Sequence, residues 1–361
     1  MAQRKPDVPL KKGWTTGACA AAGARAAWRY LLTGERQDVT RVSLPKGVST
    51  EFALSRLECA GETATAGIIK DAGDDPDVTH GAEIITTVRA GTPGAGVTFA
   101  AGPGVGHVTL PGLPLAVGEP AINPKPREII ATNLAEIAEE LDIVCDVHVT
   151  ISIPGGETLA ENTANGRLGI IGGLSILGTT GVVVPYSCAS WIHSIHRGID
   201  VARAAGIGHI AGSTGRTSEE TVRNLFSMQE QALIDMGDFA GGMLKYLRRK
   251  PIPKLTIAGG FGKLAKLADG EMDLHSSRSR VNTAMLARWL AEAGAGKSMV
   301  EAAAACTAAA QVLALAEGYQ PMLAERCALG AREVALATLS GDVAVDVLVI
   351  DRAGNQLAHV G

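Results

Sequence analysis

The chain has 361 residues, 46% of them hydrophobic and 19% charged, enough for two ordinary domains with separate cores and unlike a disordered or fibrous chain. A formal charge of −4 and a pI near 6.1 give no global field for nucleic acid or an anionic membrane. With only 4% aromatic residues, the interleaved basic and aromatic patches that stack single-stranded bases are missing, so no nucleic-acid partner is expected.

The opening stretch, Met1 to Lys12, is charged and proline-punctuated, without the apolar core of a signal peptide, which predicts a cytoplasmic protein. Thr15-Thr16-Gly17 then caps an alanine-rich run that predicts a helix to Leu32. Short β-rich runs follow at Arg41–Leu44, Glu51–Leu57, Thr63–Ile69, Ile84–Val88 and Val97–Ala100. Asn123-Pro124-Lys125-Pro126 opens a second helix with Ile129, Ile130, Leu134, Ile137 and Leu141 on one face. Residues 1–145 therefore read as a small α+β domain.

Beyond it the pattern changes. Val147–Ile153, Leu168–Ile171, Gly208–Ala211 and Leu255–Ala258 are apolar strands separated by helical segments at Ser190–Ala205, Ser218–Met228 and Asp238–Arg249. Alanine-rich helices and a last strand, Val343–Ile350, complete the chain. The fold class expected is thus α/β plus α+β, with residues 146–361 forming a doubly wound, mostly parallel, Rossmann-like domain. The most apolar stretch, Leu168–Val184, is broken by five glycines, so no membrane span is expected where about 20 mainly apolar residues are needed. Six scattered cysteines, Cys19, Cys59, Cys145, Cys188, Cys306 and Cys327, form no Cys-x-x-Cys pair and read as reduced thiols.

Four segments carry candidate chemistry. Lys70 to His80 gathers Asp71, Asp74, Asp75, Asp77 and His80 beside Lys70, directly after an apolar strand, where loops commonly hold functional groups. Calcium does not fit, because Gly73 and Pro76 break the EF-hand order of ligands counted from Asp71. The loop reads either as a solvated Asp-Pro turn or, preferably, as an active-site loop. Leu168–Val182 is glycine-rich but lacks the Gly-x-Gly-x-x-Gly spacing, and Asp200, the acidic residue at about the right distance, falls inside a predicted helix. It is either a ligand loop or a close crossing of two backbones.

Gly208–Ser218 ends at a capped helix start that suits an anion or a ribose as well as a plain cap. A phosphate loop fails at both Gly215-Arg216 and Gly262-Lys263. Gly259–Lys266 and Asp273–Arg280 supply Lys263, Lys266, Arg278 and Arg280, which either grip carboxylates or sit solvated at the surface. His193 and His196 have no third ligand nearby in sequence, and no metal site is expected.

Gly13–Ala22, Lys70–His80, Gly104-Val-Gly-His-Val-Thr-Leu-Pro-Gly-Leu-Pro114, Gly118-Glu-Pro-Ala-Ile-Asn-Pro124, Ile153-Pro-Gly-Gly-Glu157 and Gly169–Gly181 together resemble one family. It is the CbiD-type cobalt-precorrin-5B C1-methyltransferases of corrin-ring biosynthesis, matched in order from about Lys11 to Arg280. The resemblance implies methyl transfer from S-adenosylmethionine to ring carbon C1 of a cobalt-containing tetrapyrrole, giving cobalt-precorrin-6A. Such a transfer needs positioning above all, an effect worth up to about 7 to 11 kcal/mol; neither a protein nucleophile nor a catalytic metal is required.

On that basis the methyl donor is expected at Gly172, Gly173, Ser175, Gly178, Thr179, Thr180 and Gly181 together with Gly212, Ser213 and Gly215. Both loops are expected at carboxyl ends of parallel strands. Thr15, Thr16, Lys70, Arg127, Lys263, His275, Arg278 and Arg280 are expected to bind the ring and its carboxylates. Asp75 and His80, among Asp71, Asp74 and Asp77, are expected to orient the macrocycle or manage a proton. A homo-oligomer is allowed. The rivals are a non-catalytic tetrapyrrole carrier or chaperone and a small-molecule kinase, the latter disfavoured by the missing phosphate loop.

Overall fold

The computed structural model describes residues 9–361; the opening stretch read above as lacking a signal peptide lies, through Val8, outside the described residues. The chain divides into two compact units, Met1–Cys188 and Ala189–Gly361.

In the first unit, β1 (Gly13–Trp14) leads into α1 (Thr16–Thr33). Thr15 is extended, and its hydroxyl accepts from the Ala18 amide at 3.2 Å, so the predicted cap is real. Gly34 closes the helix in the left-handed region at φ 71°, donating its amide to the Tyr30 carbonyl. The strands β2 (Val39–Leu44), β3 (Val48–Ala53), β4 (Arg56–Ala60), β5 (Thr63–Ile69), β6 (Glu83–Ala90) and β7 (Val97–Ala101) follow, then the two-residue pieces β8 (Gly104–Val105) and β9 (His107–Val108). After them come α2 (Pro124–Glu140), β10 (Val147–Ser152), α3 (Gly156–Ala160), β11 (Ile170–Ile171), β12 (Gly173–Leu174) and β13 (Val182–Val183).

The main sheet has the order β4-β5-β6-β10-β7 and is antiparallel except for the β10–β7 pair. Val147–Ile153, expected to start the second domain's parallel sheet, therefore belongs to the first unit. The reason lies in its alternation. Val147, Val149 and Ile151 are buried while His148, Thr150 and Ser152 are half-exposed, the two-residue period of a sheet covered on one face. The unit boundary accordingly falls at 188/189 instead of 145/146. Leu168–Ile171 is likewise not part of a parallel sheet, since β11 pairs antiparallel with β9.

The second unit runs α4 (Cys188–Ala204), β14 (His209–Ser213), α5 (Arg216–Phe226), β15 (Leu233–Asp235), α6 (Ala240–Arg249), β16 (Lys254–Gly260) and α7 (Phe261–Ala268). Four further helices, α8 (Thr283–Glu292), α9 (Lys297–Ala305), α10 (Ala309–Leu315) and α11 (Gln320–Thr338), precede β17 (Ala344–Ile350) and β18 (Gln356–Val360). The sheet order is β15-β14-β16-β17-β18, parallel throughout except for the edge strand β18, which the sequence reading missed. Neighbouring residues feed different cores, Ile257 entering one apolar cluster and Ala258 another, which explains the continuous apolar runs of these strands. No helix among the described residues is long and apolar enough to cross a membrane.

One buried polar side chain ties the layers of the first unit together. Asn133 of α2, fully buried, accepts from the Ser43 amide at 2.9 Å and donates to the carbonyls of Ser43 and Ile129, both at 2.8 Å. Arg25 of α1 meanwhile donates to the Asn133 carbonyl at 2.9 Å. Asn133→Ala leaves the Ser43 amide and carbonyl without these partners and is expected to cost about 2–4 kcal/mol, measured by urea denaturation.

Candidate active site

The Lys70–His80 loop is a closed network. Asp71 takes the Lys11 ammonium at 2.6 Å and the Gly73 amide at 2.8 Å, and these bonds hold its carboxyl below the usual range. Asp74 accepts from the Lys11 amide at 2.6 Å. Asp75 accepts from the Tyr186 amide at 2.8 Å. Lys70, expected to reach substrate, is only 1% exposed and donates to Asp77 at 2.7 Å, while Thr79 binds the other Asp77 oxygen through both its amide and its hydroxyl. It is therefore a buried lock within the loop and is not available to a ligand in this arrangement. His80 keeps an outward face: its side chain is 55% exposed, and Nδ1 accepts the Ala72 amide at 3.1 Å, which leaves the proton on Nε2.

Beside the loop lies a shallow cleft of about 270 Å³, lined by Trp14, Phe52, Leu54, Ile68, Ile69 and Asp71 among others. Trp14 and Phe52 meet edge to face at 5.4 Å. Cys19, buried in the second turn of α1, feels the charges of Lys70, Asp71 and Asp77, yet desolvation pushes its thiol up to about 12, so it is no nucleophile.

The glycine-rich segment 172–181 also belongs to the first unit, and the expectation that it leaves a parallel strand of the second unit's sheet is corrected. It straps the start of α1. The Leu177 amide donates to Thr16 Oγ1 and the Gly17 amide to the Leu177 carbonyl, both at 2.8 Å, while Thr15 donates to the Gly181 carbonyl at 2.9 Å. Gly178 sits at φ 128°, and a Cβ there would run into the Thr15 side chain. Thr180 turns its hydroxyl onto Val182, and Ser175 onto Asn165. Gly173 abuts the Gly104 backbone, whereas Gly172 faces open space. With the amides of Gly17, Ala18 and Cys19 engaged, the helix start has little left for a ligand.

The second loop, Gly212–Gly215, does lie at the carboxyl edge of parallel strands. There β14 has β15 on one side and β16 on the other, so the chain leaves β14 and β15 in opposite directions along the sheet. Two glycines are packed shut: a Cβ at Gly212 would strike Met243, and one at Gly259 would lie 2.7 Å from Thr214 Oγ1. Two others, Gly215 and Gly260, meet nothing within 4 Å. Ser213 is 1% exposed with a hydroxyl that has no hydrogen-bond partner among the described residues. Lys263 Nζ donates to the Thr214 carbonyl at 2.8 Å and stands 3.1 Å from Asp238 Oδ1.

The remaining predicted residues are dispersed. Arg127 is clamped by the Ile122 carbonyl and Glu119, both at 2.7 Å, and lies over Phe99. Arg278 pairs with Asp273, His275 with Ser277, and Arg280 is exposed. Sequence reasoning missed Trp14, Phe52, Asp238 and Trp191. Asp238 is legible in principle as an acidic residue soon after the strand that neighbours β14, although the sequence pattern makes it the first residue of the helical segment Asp238–Arg249. Among the described residues no three His, Cys, Asp or Glu side chains are grouped to hold a metal.

Gly178→Val, with both a strained φ and a steric conflict, is expected to lower stability by about 2 kcal/mol or more, read from thermal melts, while leaving donor affinity of the folded fraction unchanged in calorimetry. The Lys70–Asp77 pair gives a pH signature. Burial would raise the Asp77 carboxyl, but the bonds from Lys70 and Thr79 hold it below its ordinary value. A carboxyl lowered in the fold stabilises it above the unfolded value of about 3.9 and ceases to do so as pH falls through the folded one. Asp77→Asn should therefore cost about 3 kcal/mol at neutral pH and progressively less below about pH 4, as urea titrations of the two proteins at both pH values will record.

The sequence model of the CbiD family matches residues 3–185, and that of the CbiD C-terminal domain matches residues 273–361; the first ends close to the boundary between the two units. A protein of Paramagnetospirillum magneticum named cobalt-precorrin-5B C(1)-methyltransferase is 58% identical over 96% of this chain and 97% of its own. One of Methylorubrum extorquens with the same name is 55% identical over 97% of each chain. A crystal structure of the cobalamin biosynthesis protein cbiD from Archaeoglobus fulgidus is 30% identical, covers 74% of this chain and 83% of that one, and has a TM-score of 0.41. By the family-model match and the likeness to the two named relatives, the chain belongs to the CbiD family.

Proposed function

We propose that this chain is an S-adenosylmethionine-dependent methyltransferase that methylates C1 of cobalt-precorrin-5B, giving cobalt-precorrin-6A in corrin-ring biosynthesis. The observation that carries the reading is the likeness, over nearly the whole chain, to relatives bearing that name. The second unit is read as a doubly wound, Rossmann-like domain. Its strands follow the order 2-1-3-4-5 when β14 is counted first, with the switch point between β14 and β16.

That switch point supports the donor assignment. Open space at Gly215 and Gly260 lets a ligand approach the backbone, and the unpartnered Ser213 hydroxyl and the Asp238–Lys263 pair supply polar contacts. The donor brings a sulfonium whose methyl is already electrophilic; the C–S bond breaks as the C–C bond forms, and the electron pair stays on sulfur. The protein's part is to orient and to exclude water. In the first unit, the apolar floor of Trp14, Phe52 and Ile69 suits one face of a macrocycle, and His80 Nε2–H offers a hydrogen bond to a ring carboxylate or carbonyl. Asp71, Asp74, Asp75 and Asp77 hold that surface in shape and do not grip the substrate themselves, because ring carboxylates would be repelled by them.

Purified protein incubated with the cobalt-containing intermediate and methyl-labelled donor is expected to place label on the ring in stoichiometric amount. Ring bound without label would instead identify a carrier. His80→Ala should slow the single-turnover rate by about 10- to 100-fold, with the loss read on the folded fraction because the Ala72 amide also loses its acceptor.

A further inference from the structure

Asp238 lies three residues past the end of β15 (Leu233–Asp235), at the carboxyl edge where the β14 and β16 loops also emerge. Its side chain is 21% exposed, and Lys263 Nζ stands at 3.1 Å from Oδ1, yet that buried oxygen has no hydrogen-bonded donor. The lysine balances the charge from an angle outside hydrogen-bond geometry and gives its own bond to the Thr214 carbonyl at 2.8 Å. An ionised carboxylate has about four acceptor positions, and a buried oxygen such as Oδ1 left without a hydrogen-bonded donor is costly. What it lacks is neutral donors. Two cations already face the carboxylate, Lys263 at 3.1 Å and the buried Lys266, whose Nζ is turned onto the Leu274 carbonyl, so a pair of hydroxyl groups would fill the acceptor positions without disturbing the charge balance.

The residue before Asp238 carries a second feature. Gly237 sits at φ 56°, and a Cβ on it would be 3.2 Å from the Trp191 ring. Trp191 is 46% exposed, and its orientation is fixed by the indole N–H, which donates to the Asp235 carbonyl at 3.1 Å. Phe239 flanks it with ring centroids 6.3 Å apart. An indole held in place and half open to solvent presents a flat surface of the kind on which nucleobases stack. The same turn thus juxtaposes an unfilled carboxylate and a fixed aromatic plane.

We propose that Asp238 and Trp191 form an adenosine subsite at this edge of the second unit. Asp238 accepts the ribose hydroxyl protons of the methyl donor, Lys263 positions that carboxylate, and the Trp191 indole lies against the adenine. This rests on the reading that the unit holds the donor.

The test uses the full chain and S-adenosylhomocysteine in calorimetric titration, beside its analogues lacking the ribose 2′- or 3′-hydroxyl. Wild-type protein should bind at least one deoxy analogue about 10- to 100-fold more weakly than the parent. Asp238→Asn should bind the parent more weakly and lose that discrimination to within about three-fold. Trp191→Leu should weaken parent and analogues alike and abolish ligand-dependent quenching of tryptophan fluorescence. Comparing ligands within one variant removes any effect of that variant on folding. Undiminished discrimination in Asp238→Asn overturns the subsite, as does equal binding of parent and analogues by the wild type; either result leaves methyl transfer standing if label still reaches the ring. Absence of S-adenosylhomocysteine binding together with absence of label transfer overturns both.

Discussion

The first unit depends on how closely α1 lies on its sheet. The helix buries Ala18, Ala20, Ala21, Ala22, Ala24, Ala26 and Ala27, residues that contribute little apolar area each and make up for it by letting backbones approach. Gly23 shows the limit: a Cβ there would stand 2.8 Å from Thr86 Oγ1, and that buried hydroxyl donates to the Ala20 carbonyl at 3.2 Å. At this height the start of α1 meets Leu177 and Pro126 at Gly17, and the Lys70–His80 loop is fastened alongside through the bond from the Trp14 amide to the Asp71 carbonyl. Small side chains in one helix therefore set the position of everything around its first turn.

The acidic loop of the first unit and the strand ends of the second differ in how completely their polar groups are satisfied. In the acidic loop Asp71, Asp74, Asp75 and Asp77 each have a donor from the protein, and the most buried charge, Lys70, is paired. Breaking such a pair leaves a charge stranded in a low-dielectric interior. A network so complete is a scaffold, and it presents outward the imidazole edge of His80 and the part-exposed carboxylates of Asp71 and Asp74 beside the apolar floor. At the carboxyl edge of the second sheet the opposite holds: a buried hydroxyl and a buried carboxylate oxygen remain without hydrogen-bonded partners. Native interiors seldom leave such groups unmatched, and here they stand where the strand order reverses.

Much of the fold was legible because local chemistry and tertiary packing agree. Thr15 announced a cap, Pro124 a helix start, and Thr63–Ile69 a strand, and each stands where the sequence put it. Val147–Ser152 was misplaced because a six-residue apolar alternation does not say which sheet it joins; only its pairing with β6 and β7 does. The glycines of 172–181 were ambiguous for a related reason. A glycine required by an intruding side chain and a glycine left open for a ligand look identical in a sequence. Gly178 is the first kind and Gly215 the second, and the difference resides in Thr15, a residue more than 160 positions away. Lys70, written beside four aspartates, gave no sign that it would be the buried member of the group.

Strand order carries the last step. A parallel sheet whose chain always moved the same way would bury its strand ends under successive connections; β14, with its neighbours β15 and β16 reached in opposite directions, cannot be covered that way. Loops that follow these strands gather at one edge whatever their local propensity, which is why Asp238, with no sequence motif around it, comes to lie beside Lys263, itself bonded to the Thr214 carbonyl. A reaction whose electrophile arrives already activated makes few demands beyond such a rigid edge. At that edge the Asp238 carboxylate stands beside Lys263, and the Trp191 ring is held by its bond to the Asp235 carbonyl.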